Sequence, residues 1–207
     1  PELREAVGSG RRLLVVTTHR RENLGEPMRR IYRALAALVR EFEDVEVVFA
    51  VHKNPAVRDV AREELGGVER VRLVEPPAYS EFVHLLAAST LVLTDSGGLQ
   101  EEAPSLGKPV LVLRETTERP EGVEAGTVLQ VGTQKEAILG AARRLLTDDE
   151  AYQAMAKAVN PYGDGKAAER VKEGLLHAFG MGSRPADFRP VSSAKPVLQR
   201  PNRYLIM

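Results

Sequence analysis

Leu91-Val92-Leu93-Thr94-Asp95-Ser96-Gly97-Gly98-Leu99-Gln100-Glu101-Glu102 is a short apolar run that ends on an aspartate and a Ser-Gly-Gly turn and passes at once into a polar, helix-compatible segment. Four residues apolar on both faces, bounded by turn residues, read as a strand of a parallel sheet covered by helices on both sides. Five more such runs occur at 13–16, 45–51, 71–74, 110–113 and 127–131, each separated from the next by a helical pattern or a charged loop. The helix after the first is the clearest: Met28, Ile31, Tyr32, Leu35, Leu38, Val39 and Phe42 keep an i, i+3, i+4, i+7 stripe, and Pro27 suits a first helical turn. Asn54 followed by Pro55 predicts the start of a second helix. Further helices are expected at 80–88, after Gly97 and Gly98, at 134–146 with Thr133 and Glu136 as a capping box, at 149–158 and at 166–178. Strand-helix alternation with short connections predicts an α/β domain with a doubly wound, Rossmann-like parallel sheet, whose strand C-termini share one ligand-binding edge.

Composition narrows the function classes. The chain has 207 residues, 43% hydrophobic and 28% charged, which suits one domain of ordinary size plus a tail. Lysine plus arginine equals aspartate plus glutamate at 29 each, so no bulk field exists to hold nucleic acid or an anionic membrane surface. The absence of cysteine removes disulfides, thiolate metal sites and a cysteine nucleophile. The four histidines show no metal-ligand spacing, so no metal is expected. No apolar stretch reaches the ~18 residues of a membrane helix, and a cytoplasmic protein is expected. The domain is read as 1–180. From 181 to 207 there are four prolines, five basic residues and one acidic residue, which predicts a flexible or partner-docked tail. The chain opens on proline, and an acidic-basic helical scrap at 1–7 leads straight into a strand, so the chain is expected to begin inside a longer protein.

Three strand-end loops carry the chemistry. The first is Thr18-His19-Arg20-Arg21-Glu22-Asn23, cationic and just ahead of a helix, where an anionic ligand would meet it. The second is Asp95-Ser96-Gly97-Gly98, where the glycines let backbone N–H groups approach a phosphate without Cβ obstruction and the helix N-terminus adds positive potential. Glu102, one turn on, could accept hydrogen bonds from a vicinal diol. The third is Arg114-Glu115-Thr116-Thr117-Glu118-Arg119-Pro120-Glu121, read either as a self-neutralised surface loop or as part of a phosphate or sugar site. His52, at the end of the second strand, is open between a structural histidine and a second anion contact. A Walker-type Gly-Lys-Ser/Thr loop is absent, and Gly8-Ser9-Gly10 precedes its strand instead of following it, so kinase and dehydrogenase readings fall away.

In order, Thr18 to Asn23, Val51-His52-Lys53-Asn54-Pro55, Asp95-Ser96-Gly97-Gly98 with Gln100-Glu101-Glu102, Arg114 with Thr117 to Glu121, and Asn160-Pro161-Tyr162-Gly163-Asp164-Gly165 resemble the C-terminal half of the non-hydrolysing UDP-N-acetylglucosamine 2-epimerases. The resemblance covers roughly residues 1–179. It implies one half of a two-domain, B-type glycosyltransferase-like fold, an isomerase activity without cofactor, and a place in cell-envelope polysaccharide biosynthesis. The implied reaction inverts C2 by elimination and return of UDP. The resemblance assigns Ser96, Gly97 and Gly98 to the diphosphate, Glu102 to the ribose, Phe82 to uracil through its backbone, and His19 and Arg119 to the departing diphosphate, with His19 as the catalytic group. It places Arg20 and His52 at a possible activator site, the proton-transfer carboxylates in an N-terminal domain missing here, and a homodimer in the full-length protein. A hydrolysing relative releasing N-acetylmannosamine and a non-catalytic UDP-sugar-binding fragment are the alternatives. A B-type glycosyltransferase is disfavoured by the His19 and Arg119 segments together.

Overall fold

The computed structural model describes residues 2–188, which form a six-stranded parallel sheet between two helical layers. In chain order the elements are α1 (Glu2–Gly8), β1 (Arg12–Thr17), α2 (Glu26–Glu41), β2 (Val45–Ala50), α3 (Pro55–Leu65), β3 (Val71–Val74), α4 (Tyr79–Ala88), β4 (Leu91–Thr94), α5 (Gly97–Ser105), β5 (Val110–Val112), α6 (Pro120–Glu124), β6 (Val128–Gln130), α7 (Lys135–Thr147), α8 (Asp149–Ala156) and α9 (Ala167–Ala178). The strand order is β3-β2-β1-β4-β5-β6 and every pairing is parallel. The chain winds outward from β1 in one direction, returns, and winds outward from β4 in the other. The crevice beyond the carboxyl ends of β1 and β4 is therefore the topological switch point, where open α/β sheets bind ligands.

Alternation along the strands explains both helical layers. Leu14, Val16, Val47, Phe49, Leu91, Leu93, Leu111 and Leu113 face α2, α3 and α7. Leu13, Val15, Val48, Val74, Val92, Val110 and Val112 face the residues of α1, α4 and α5. On α2, Met28, Ile31, Tyr32, Leu35, Leu38 and Val39 are buried. At roughly 1.5 to 3 kcal/mol for a fully buried large apolar side chain, that stripe outweighs any helix propensity in holding α2 to the sheet. Phe42 ends the stripe as the C-cap residue, half-buried, with the Arg12 guanidinium 5.5 Å above its ring. Glu46 is the one carboxylate inside the second apolar run. It is buried and ion-paired with Arg72.

Two readings of the sequence need correction, and one element was missed. Thr133 and Glu136 do not form a capping box: Gln134 is the N-cap of α7 and its side chain caps nothing. The Thr133 N–H and hydroxyl instead donate to Glu115 Oε1, at 3.1 and 3.0 Å, because the β5 loop brings that carboxylate across. The helix expected after Gly97 and Gly98 instead begins on them: both sit within the first turn of α5 and use no left-handed backbone. The charged loop after β5 contains a short helix, α6, that its charge pattern hid. After α9 the chain is irregular, and Phe188 lies 5.2 Å from the Arg170 guanidinium. The expected tail from residue 189 onward lies outside the described residues.

Candidate functional site

Asp95 directly follows β4, fully buried, and organises the mouth of the switch point. Its two oxygens accept from the His19 N–H at 3.0 Å, the Arg20 N–H at 2.9 Å and the Asn23 side-chain amide at 3.0 Å. His19 Nδ1 lies 3.2 Å from Oδ1. Burial pushes the Asp95 carboxyl up. The His19 side chain and the Arg20 and His19 N–H groups more than reverse that, leaving the group below the usual carboxylate range. One carboxylate thus pins the whole loop after β1 to the loop after β4. Asn23 completes the clasp by donating to the Leu113 carbonyl of the β5 end. Beneath it, the hydroxyls of Thr17 and Thr94 meet at 2.6 Å and those of Thr18 and Tyr32 at 2.7 Å.

Above this base, two guanidinium groups converge on the N-terminus of α5. Arg20 Nη2 and Arg119 Nη2 stand 3.7 and 3.8 Å from the point where a Gly97 Cβ would be. A side chain at Gly97 would fill the space between the two cations, so the glycine keeps that space open. Each arginine is braced. Arg20 donates through Nε to the Asp95 carbonyl and pairs with Glu118, and Glu118 also reaches the buried Arg114. Glu118 is held below the usual carboxylate range first by the Arg114 hydrogen bond and then by the charge of Arg20. Arg119 pairs with Glu101 on α5, and its N–H donates to Thr117, whose hydroxyl donates to Gln100. The loop after β5 therefore pairs partly within itself and is also tied to the loop after β1 and to α5. Tyr162, from the Asn160 to Gly165 segment, closes the back of this loop: its hydroxyl would stand 2.6 Å from a Gly122 Cβ.

Ser96 is the N-cap of α5, and its hydroxyl makes no capping bond. Glu102 lies one turn into α5, with Oε1 3.9 Å from a Gly98 Cβ position and no hydrogen bond to another described residue. His52 stacks on His19, ring centroids 5.7 Å apart and planes at 27°. The structure thus gathers His19, Arg20, His52, Ser96, Gly97, Gly98, Glu102 and Arg119 on one edge. Phe82 lies in the first turn of α4, the helix after β3, and packs against the cluster that contains Leu99 and Ala103 of α5. Its N–H is engaged by the Ala78 carbonyl at 2.9 Å, which leaves only its carbonyl for a base. Asp95, Glu101 and Glu118 lie within the sequence motifs, but their bracing contacts run across distant parts of the chain. An aspartate closing an all-apolar strand was the available signal for the first, since a carboxylate is buried there only with partners. Among the described residues no group of three or more histidines and carboxylates is gathered as a metal would need. No described helix is long and apolar enough to cross a membrane.

What the arrangement can do is hold a compact polyanion: two guanidiniums meet at a helix N-terminus, and a partly exposed imidazole stands next to one of them in the same loop. Comparison with known proteins gives the same edge a context. The profile of the UDP-N-acetylglucosamine 2-epimerase family matches residues 2–176. The UDP-N-acetylglucosamine 2-epimerase of Bacillus subtilis is 55% identical over 169 residues, which are 82% of this chain and 44% of the relative. The S. aureus MnaA–UDP co-structure superposes with a TM-score of 0.86 at 44% identity, covering 91% of this chain and 52% of that one. The Neisseria meningitidis UDP-GlcNAc 2-epimerase bound to UDP-GlcNAc superposes at 0.80 and 42%, covering 85% and 48%. The chain spans about half the length of the relatives it matches. With a matching profile over most of its length and a sheet edge that carries the sequence motifs in one cluster, the chain belongs to the UDP-N-acetylglucosamine 2-epimerase family.

Proposed function

We propose that this chain is the nucleotide-binding half of an enzyme that interconverts UDP-N-acetylglucosamine and UDP-N-acetylmannosamine. The observation that carries the reading is the convergence of Arg20 and Arg119 on Gly97 at the head of α5, with Glu102 one turn further on. A diphosphate needs paired cationic donors and a helix N-terminus, and a ribose beside it needs an acceptor for its two hydroxyls. The reaction removes the C2 proton of the sugar as the C1–O bond to UDP breaks, leaving a 2-acetamidoglucal. UDP then returns to C1 as a proton arrives at C2 from the opposite face. In this half of the reaction's machinery, His19, Arg20, Arg119 and the α5 N–H groups take the negative charge that grows on departing UDP. The groups that move the C2 proton belong to the part of the relatives that this chain does not span.

Glu102 separates a sugar-nucleotide site from a general anion site. Glu102→Ala is expected to weaken UDP binding by roughly 1.5 to 3 kcal/mol, the range for hydrogen bonds to a charged group. Binding of 2′,3′-dideoxy-UDP should change far less. Titration calorimetry on the chain with both ligands decides it, and equal losses would show that Glu102 does not read the ribose.

A further inference from the structure

Two histidines stack at the mouth of the site, and the groups that face their Nδ1 atoms are of opposite kind. His19 presents Nδ1 to Asp95 Oδ1 at 3.2 Å, and a buried, ionised carboxylate can only accept. His52 presents Nδ1 to the Asn54 N–H at 3.1 Å, and a backbone amide can only donate. A carboxylate oxygen at that distance repels a bare lone pair and favours a proton on Nδ1 of His19, whereas the Asn54 N–H requires a lone pair on Nδ1 of His52. We propose that Asp95 is the positioning residue of the site, fixing His19 with its proton on Nδ1 while the Asn54 amide fixes the neighbouring His52 with its proton on Nε2.

The consequence for the site is directional. With Nδ1 tied down, the Nε2 edge of His19 is the one left for a ligand, on a side chain that is 37% exposed. The same carboxylate holds the His19 and Arg20 N–H groups, so the imidazole and the Arg20 guanidinium are set relative to α5 by one residue. Around His19 the charged or titratable groups are Asp95 from the end of β4, His52 from the loop after β2, and Arg20 beside it in its own loop. Asparagine at 95 would be nearly isosteric but could offer only one accepting oxygen. Its amide would confront one of the donors that Asp95 now satisfies, and the fixed protonation pattern of His19 would be lost.

The assignment concerns the chain without ligand and stands apart from the sugar-nucleotide reading. It is tested by long-range ¹H–¹⁵N correlation of the imidazoles in uniformly labelled chain at a pH of about 8.5, above the usual imidazole range. Single His→Gln variants at 19, 52, 84 and 177 assign the signals. They are needed because His84 also presents Nδ1 to a carbonyl, that of Ser80. The expected result is a protonated Nδ1 for His19 and a bare Nδ1 with protonated Nε2 for His52. In Asp95→Asn, His19 should lose the Nδ1–H pattern while His52 keeps its own. A bare Nδ1 on His19 in the wild type overturns the proposal, as does an unchanged His19 pattern in Asp95→Asn. If that variant does not fold, the wild-type spectrum decides alone.

Discussion

Replacing Asp95 by alanine is expected to lower the stability of the chain by about 3 to 5 kcal/mol, the cost of removing one partner from a buried charged network. The substitution strips the acceptor from the His19 and Arg20 N–H groups, the Asn23 amide and the His19 ring. Asn23 would keep only the Leu113 carbonyl. Ser96→Ala is the contrast on the next residue. The Ser96 hydroxyl caps nothing, so stability should change by less than about 0.5 kcal/mol while ligand affinity falls. Urea denaturation of both variants measures the difference. The pH dependence has a defined sign. Because the folded-state carboxyl of Asp95 lies below its unfolded value of about 3.9, its contribution is present above that pH and is lost as the pH falls further, through the folded value. The gap between wild type and Asp95→Asn should therefore narrow only in acid. A gap that narrows as pH rises toward neutrality would contradict the assignment.

The second large effect concerns affinity. Arg20→Ala and Arg119→Ala should each weaken UDP binding by about 1.5 to 3 kcal/mol, or roughly 10-fold to 150-fold. The double variant should lose less than the sum, because both guanidiniums face the same small space above Gly97 and either can serve one phosphate oxygen. Stability should hardly move, since both side chains are about a third exposed and their ion pairs are screened. Arg143→Ala is the control: its pair with Glu41 joins α7 to the far end of α2, away from the strand C-termini. Calorimetry with UDP on the four proteins checks the pattern. An Arg143→Ala loss equal to the other two would show that the effect is general charge and not a cradle.

The strand layer was legible because it is a property of composition over short windows. Runs such as Leu91 to Thr94 and Val71 to Val74 are bounded in the structure by the residues at which their apolarity ends. Asn54 was legible as a cap because its side chain needs only its own local backbone, and it does accept from Ala56. Thr133 and Glu136 have the same local look, yet Glu115, eighteen residues earlier, takes the Thr133 donors. No local pattern contains that competition. The site divides in the same way. Glycines and arginines at strand ends pointed to an anion, since the fold class alone places strand ends together. The partners that brace those arginines, Glu101 and Glu118, and the carboxylate that holds the loop, Asp95, depend on contacts across 18 to 98 residues of chain. They became visible only when β1, β4 and β5 lay side by side.

The central claim is that the edge shared by β1, β4 and β5 receives a uridine diphosphate. The most direct measurement is a titration of the ¹⁵N-labelled chain with UDP, followed residue by residue through the backbone amides. Saturable shifts are expected at His19 and Arg20, from Ser96 through Glu102, and at Arg119, with Arg143 and the residues of α9 unchanged. No response at millimolar UDP, or shifts centred on another face of the sheet, would contradict it.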